Sequence, residues 1–338
     1  KDIERYGIAK FNAECKRSVW EFKKEWEALT ERVGFWLDTK NPYITYTREY
    51  IETLWRVIKE FSKRKLLYKD FKVVPYCSRC GTALSSHELA QGYKTITDRS
   101  VYVKFKVKSR HGDGVSVYPG DYILAWTTTP WTLPGNVALA VGKDISYIRW
   151  LEEGQHYIMA EELASKIFQD FDPSNTKRCM SVFNSDLIGS EYEPLFPVEA
   201  FARNEKAYKV YGADFVSTQD GTGVVHTAVM YGEDDYNLGT ELGLPKTHTV
   251  DEQGKFMGVG TDFDGMVVKH NDKPTEEKTT QKIIDYLKDK NLLLKEEGYE
   301  HEYPFCWRCS TPLLYYAKES WFVNMQKVKK NLLENNEK

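Results

Sequence analysis

The chain has 338 residues, 41% of them hydrophobic and 29% charged, a balance that excludes a disordered or low-complexity protein and suggests two or three structural units. Its net charge is −3, so any contact with nucleic acid has to rest on a local basic patch. No apolar run approaches the ~20 residues of a membrane-spanning helix, and six cysteines are too few for a disulfide scaffold. The chain opens on Lys1 with no signal-peptide pattern and reads as an excised segment of a cytoplasmic protein.

The first ninety or so residues read as helical. Val19, Phe22, Trp26, Leu29, Val33 and Trp36 recur at three- and four-residue steps, the spacing of one helix face, with Gly34 and Asn41-Pro42 ending it. Thr47 is a predicted N-cap for a second helix whose apolar face is Ile51, Leu54, Trp55, Ile58 and Phe61. From about residue 95 the period changes. Val101, Val103, Phe105 and Val107 alternate with polar residues, as in a half-buried strand. Further strands are predicted at Tyr122–Trp126, Val137–Val141, Tyr147–Trp150, Lys209–Tyr211 and Gly223–Thr227, with helices near Glu161–Phe168 and Glu277–Lys290. The mixture predicts an α+β domain over about 95–300. The segment from Tyr303 shows little periodicity.

One internal echo stands out. Pro75-Tyr76-Cys77-Ser78-Arg79-Cys80 returns as Pro304-Phe305-Cys306-Trp307-Arg308-Cys309. A two-residue spacer lets both sulfurs of a knuckle face one ion, and two knuckles complete a tetrahedral shell suited to Zn²⁺. Unrelated pairs, buried free thiols or a redox disulfide are the other readings. The long gap between Cys80 and Cys306 makes sense if a whole domain is inserted between knuckles that share a structural zinc. Cys15 and Cys179 stand alone and are expected as buried hydrophobes.

Two other stretches carry polar groups in an unusual order. Trp126-Thr127-Thr128-Thr129-Pro130-Trp131-Thr132-Leu133-Pro134-Gly135-Asn136 predicts a rigid turn lined with hydroxyls and backbone amides, able to hold a ribose, a phosphate or an ester carbonyl. The plainer alternative is a β-branched strand running into a proline turn. Asp220-Gly221-Thr222-Gly223-Val224-Val225-His226-Thr227 feeds a Gly-rich turn into a strand, and Gly232-Glu233-Asp234-Asp235-Tyr236 follows. A carboxylate there suits an ammonium group such as the α-amine of an aminoacyl ester, although acidic residues also favour the first turn of any helix. His226 alone would be an ordinary strand histidine.

At these residues the sequence resembles the isoleucyl-tRNA synthetase family. Thr127–Asn136 is similar to the threonine-rich peptide of that family's editing domain, and Gly221–His226 with Gly232–Tyr236 resembles its second signature. Phe35–Thr45, Pro75–Cys80, Ser85-Ser86-His87-Glu88, Tyr303–Cys309 and Ser320-Trp321-Phe322-Val323 resemble the flanks of the insertion, so the likeness runs from about Tyr6 to Val323. The related leucyl and valyl enzymes usually carry Arg-Pro after two threonines, where this chain has Thr129-Pro130-Trp131. The loop Val229-Met230-Tyr231 departs from the family, which usually has a proline there.

The resemblance implies an α+β, barrel-like editing domain over 94–301, inserted into a Rossmann class I synthetase. A helical stem with the first knuckle would span 1–93. The second knuckle and the return toward the catalytic domain would span 302–338. The family's ATP motifs do not occur, so ATP and Mg²⁺ belong to the parent enzyme and the segment itself is not expected to aminoacylate. Isoleucine and valine differ by one methylene, worth about 1–3 kcal/mol in a binding pocket, a limit for which the isoleucyl enzymes are themselves the standard illustration. A second pocket must therefore hydrolyse valyl-tRNA(Ile), and with it valyl-adenylate. In that pocket the resemblance implies Asp235 for the substrate ammonium and Thr127, Thr128, Thr129 and Thr132 for the terminal adenosine and ester. Trp131, Thr132 and Gly223 would shape it, and His226 would exclude isoleucine's extra methylene. Asp235, His226 and Thr132 are the expected catalytic set. Zinc on Cys77, Cys80, Cys306 and Cys309 is expected to be remote and structural. The expected partners are the 3′ end of tRNA(Ile) and its valyl-adenosine moiety, bound by a monomer without a membrane. Two alternatives stay open: a non-catalytic zinc-stapled tRNA-binding module, and the editing domain of a valyl or leucyl enzyme.

Overall fold

The computed structural model describes residues 2–112 and 114–337. They form two compact units, one of 2–68 with 321–337 and one of Lys69–Ser320. No described helix is long and apolar enough to cross a membrane.

The first unit is mainly helical. Thr47 caps the helix Arg48–Lys63 as predicted, its hydroxyl accepting the Tyr50 N–H at 3.4 Å. The single amphipathic helix expected through Val19 and Trp36 is instead two, Ile8–Val19 and Lys23–Arg32, separated by a turn at Trp20–Phe22. A three-residue turn preserves the phase of the apolar positions, so periodicity does not register the break. Gly34, at φ +74°, ends the helical run, and Trp36 lies beyond it. Cys15, expected to be buried, is exposed, and Cys179 is half-buried.

The second unit is a mixed α+β structure. Its strands are β1 (Leu67–Cys77), β2 (Thr82–Ala83), β3 (Tyr93–Ser109), β4 (Tyr122–Thr127), β5 (Ala138–Gly142), β6 (Tyr147–Glu152), β7 (Gln155–Ala160), β8 (Cys179–Val182), β9 (Glu191–Tyr192), β10 (Lys209–Ala213), β11 (Val224–Thr227), β12 (Leu293–Pro304) and β13 (Leu314–Val323). Ten of them form one sheet in the order β11-β5-β10-β9-β3-β4-β7-β6-β8, with β12 also on β3. β11 lies beside β4 although four strands separate them along the sheet, so the sheet curls back on itself. Inside the curl Phe105, Ile123, Leu139, Tyr147, Trp150 and Tyr192 are fully buried. That apolar core is what fixes the ends of β4 and β11 next to each other.

All six strand predictions and both helix predictions in this unit fall on observed elements. The stretch after Lys63, expected to be helical, is instead the strand β1, which sits between β13 and β2 in a separate three-stranded sheet. β3 is also longer than its alternating half. Its polar beginning pairs with β12 from Tyr93↔Pro304 to Val103↔Leu293, a two-stranded ribbon that ends at the second knuckle.

Candidate functional site

The threonine turn is held by its own hydroxyls. Thr127 closes β4, paired with Val101, and its Oγ1 accepts the Thr129 N–H at 3.1 Å. Pro130 sets the backbone for a short 3-10 turn, Pro130–Gly135. Within it the Thr132 N–H and Oγ1 both donate to the Thr129 carbonyl, at 3.0 and 2.8 Å. Asn136 anchors the exit, donating to the Ala138 carbonyl at 2.9 Å and accepting the Tyr192 hydroxyl at 2.7 Å. Trp131 is buried edge-on against Tyr231, ring centroids 5.2 Å apart.

β11 brings the histidine. Gly223 precedes it at φ +71°, where an added Cβ would meet the Ala160 Cβ at 2.4 Å, so only glycine fits. The Tyr147 hydroxyl donates to the Gly223 carbonyl at 2.6 Å. His226 is buried, with Nε2 3.0 Å from Thr132 Oγ1, 94 positions away in the chain. Burial pushes its pKa down to about 4, so the ring is neutral near pH 7. Its Nδ1 has no hydrogen-bond partner among the described residues.

The helix Glu233–Leu242 opens with three acidic residues. Glu233 and Asp234 are exposed, whereas Asp235 is half-buried and its Oδ2 accepts the Ala228 N–H at 3.0 Å. Burial raises the Asp235 carboxyl to about 6, helped by the charge of Asp234 and opposed by the Ala228 hydrogen bond.

Two cavities meet at the turn. One of about 350 Å³ is bordered by Thr127, Thr128, Gly223 and His226, with Trp126 and Asp220. The other, about 370 Å³, is bordered by Thr128, Thr129, Trp131, Thr132 and Tyr231. Thr128 borders both. Asp235 borders neither and is tied to the site through Ala228, two residues beyond His226. A third cleft of about 280 Å³ lies at Lys269, buried between Asp98 (3.3 Å) and Glu276 (2.6 Å), and shares no residue with the threonine turn.

Sequence reading missed Tyr231. Its hydroxyl accepts the N–H groups of Thr249 (2.7 Å) and Val250 (2.8 Å) while its ring packs on Trp131. The one signal in the sequence is an aromatic just before Gly232, in a loop that departs from the family pattern.

The knuckles converge. Cys77 Sγ lies 3.5 Å from Cys309 Sγ and Cys80 Sγ 4.0 Å from Cys306 Sγ, and all four sulfurs fall within 4.8 Å of one another. The echo extends to the backbone: the N–H of Gly81 bonds the Cys77 carbonyl as that of Ser310 bonds Cys306, both at 2.8 Å, and both residues have left-handed φ. Leu84 N–H reaches the Pro75 carbonyl as Leu313 N–H reaches that of Pro304. Leu84 and Leu313 pack with Cys77 and Cys306 in a small core of their own. The four thiols are close enough to hold a metal ion.

A model of the tRNA synthetases class I (I, L, M and V) family matches residues 1–338. The chain is 46% identical over 336 residues to an isoleucine–tRNA ligase of Clostridium novyi, covering 99% of this chain and 30% of that protein. It is 42% identical over 338 residues to one of Picrophilus torridus, covering 100% and 31%. The chain thus spans about 30% of the length of the curated relatives it matches. A solved structure titled "The crystal structure of GlLeuRS-CP1" superposes on 58% of this chain and 98% of its own, at 14% identity and a TM-score of 0.43, a distant likeness. By the match along its full length, the chain belongs to the class I tRNA synthetases of the isoleucine, leucine, methionine and valine group.

Proposed function

We propose that the large unit hydrolyses valyl-tRNA(Ile), and with it valyl-adenylate, within a cytoplasmic isoleucine–tRNA ligase whose remaining parts attach isoleucine to tRNA with ATP. The observation that carries the reading is the 3.0 Å approach of Thr132 to His226, which joins the hydroxyl-lined turn to a buried, neutral histidine. Such a pairing suits an uncharged pocket wall beside groups that hold an ester.

In this reading the Thr127–Thr132 turn holds the terminal adenosine and the ester, while Trp131, Thr132 and Gly223 shape the pocket. Ionised Asp235 holds the substrate ammonium. Water adds to the ester carbonyl, the ribose oxygen leaves with a proton, and valine and uncharged tRNA result. The ester is already activated, so positioning of water suffices without a covalent nucleophile. A larger apolar group binds better wherever it fits, so rejection of isoleucine needs a steric wall, which is His226.

The four cysteines would hold Zn²⁺. A tetrahedron with Zn–S bonds of about 2.3 Å has sulfur–sulfur edges of roughly 3.8 Å, and the 3.5 and 4.0 Å separations bracket that value. The metal's contribution is folding energy, remote from the ester, and the protein works as a monomer. Domain limits at 1–93, 94–301 and 302–338 follow the same reading.

The test is deacylation of valyl- and isoleucyl-tRNA(Ile) by the chain and by His226→Ala. The parent chain should clear only valyl-tRNA, and the variant should clear both. Absence of valyl-tRNA hydrolysis would leave a tRNA-binding module instead. A variant that loses valyl activity and gains none on isoleucyl-tRNA would move the wall to Trp131 or Thr132.

A further inference from the structure

Building on the deacylation reading, we propose that Thr132 is a positioning residue: its hydroxyl fixes His226 as the neutral tautomer protonated at Nε2, and so sets the orientation of the ring that excludes isoleucine. Thr132 Oγ1 carries one proton and has three polar neighbours: the Thr129 carbonyl oxygen at 2.8 Å, His226 Nε2 at 3.0 Å and Thr129 Oγ1 at 3.5 Å. The carbonyl can only accept and is the nearest, so it takes the hydroxyl proton. The hydroxyl oxygen is then left with lone pairs toward the ring, and Nε2 must donate.

The opposite edge of the ring selects the same tautomer. Nδ1 is buried with no partner among the described residues. A proton there would be a buried N–H without an acceptor, costlier than a buried lone pair. An imidazolium would carry that same unpaired N–H plus a charge, in a ring that is buried.

Thr132 can do this because it is itself held. Its N–H is fixed on the Thr129 carbonyl, and the Thr129 N–H on Thr127 Oγ1. The chain of bonds runs from the end of β4 through the turn to the ring at the end of β11. Turning the ring over would put a carbon where Nε2 meets the hydroxyl, so the bond holds one of two otherwise similar orientations.

The experiment is long-range ¹H–¹⁵N correlation of the ¹⁵N-labelled 338-residue chain at pH 7, with His226 assigned by the signals lost in His226→Ala. The expected result is a proton-bearing Nε2 and an unprotonated Nδ1, kept in Thr132→Ser and replaced by a mixture of tautomers in Thr132→Val. Selectivity for valyl- over isoleucyl-tRNA should fall about five-fold in Thr132→Val, the worth of one neutral hydrogen bond, and recover in Thr132→Ser. A proton on Nδ1, or an imidazolium, in the parent chain overturns the proposal. So does a Thr132→Val protein with tautomer and selectivity unchanged. Should Thr132→Val not fold, Thr132→Ala takes its place with the same expected outcomes. Should the parent chain hydrolyse neither ester, the deacylation reading falls, while the tautomer in the parent and in Thr132→Ser still decides whether the hydroxyl fixes the ring.

Discussion

The cysteine cluster and the threonine–histidine site both assemble from segments far apart in the chain, and they do it by different means. The cluster uses one local pattern twice: each knuckle supplies two thiols, a left-handed residue after the second cysteine and a leucine for the shared core. The other site joins unlike pieces, a proline-fixed turn, a strand end and the first turn of a helix, each positioned by the curled sheet. The first brings four thiols close enough to hold an ion. Among the described residues the second leaves four buried side-chain groups without a hydrogen bond, His226 Nδ1, Thr227 Oγ1 and the indole N–H groups of Trp126 and Trp131. A duplicated element concentrates its stability in one place, whereas a composite one borrows it from the core.

The sharpest way to break that contrast is to deprive the four thiols of any ion they hold. Chelation, or Cys80→Ser with Cys309→Ser, should abolish metal content and expose the knuckles to proteolysis and hydrogen exchange, since metal binding is folding energy for such sites. Deacylation should persist at most of its original rate, because neither cavity at the threonine turn is bordered by a cysteine. Equal loss of hydrolysis would show that the two regions are one cooperative unit.

Next in size, Asp235→Ala should reduce valyl-tRNA deacylation by about a hundred- to a thousand-fold, the cost of leaving a desolvated cation unpaired, with the circular dichroism spectrum unchanged. An inactive Asp234→Ala beside an active Asp235→Ala would transfer the role to the exposed neighbour.

The third prediction concerns pH. The Asp235 carboxyl stands at about 6 in the folded chain against an ordinary 3.8. Between these values the unfolded chain loses its proton and the folded chain keeps it, so stability falls as pH rises from about 4 to 6 and is level above. The difference corresponds to about 3 kcal/mol. Asp235→Asn should therefore be more stable than the parent at pH 7 and equal to it below pH 4, as read by denaturant unfolding. Deacylation by the parent chain should rise through pH 6 as the carboxylate forms.

Smallest of the four, Gly135→Ala should cost about 1–3 kcal/mol of stability. Its Cβ would lie 2.9 Å from the Tyr231 ring that packs on Trp131. If urea unfolding shows less, the aromatic backing of the turn is looser than the packing indicates.

The same contrast explains what could be read from the sequence. The knuckles were legible because both copies carry the same six-residue frame, and the threonine peptide because its residue order is rare. The alternating half of β3 and the long helix Lys273–Asp289 announced themselves. β12 and β13 did not, because the strands they pair with, β3 and β1, lie far away in sequence and the half of β3 that pairs with β12 is polar. The approach of Thr132 to His226 was invisible, since nothing local in either segment encodes a distance set by the curl of the sheet. Tyr231 was overlooked for a related reason: a phenol that accepts two backbone N–H groups leaves no pattern in composition or period.

The pairing of Tyr93 with Pro304 has a topological consequence. The polypeptide leaves the first knuckle region and re-enters the second at adjacent points, about one strand spacing apart, roughly 4.8 Å. Seen from the cysteines, everything between these two residues occupies the place of a hairpin loop. A short hairpin turn grafted between Tyr93 and Pro304 would connect the same two points. The module between them could lengthen or shrink without changing where the chain leaves and re-enters the ribbon, which makes this ribbon a natural port at which one protein can acquire another's chemistry.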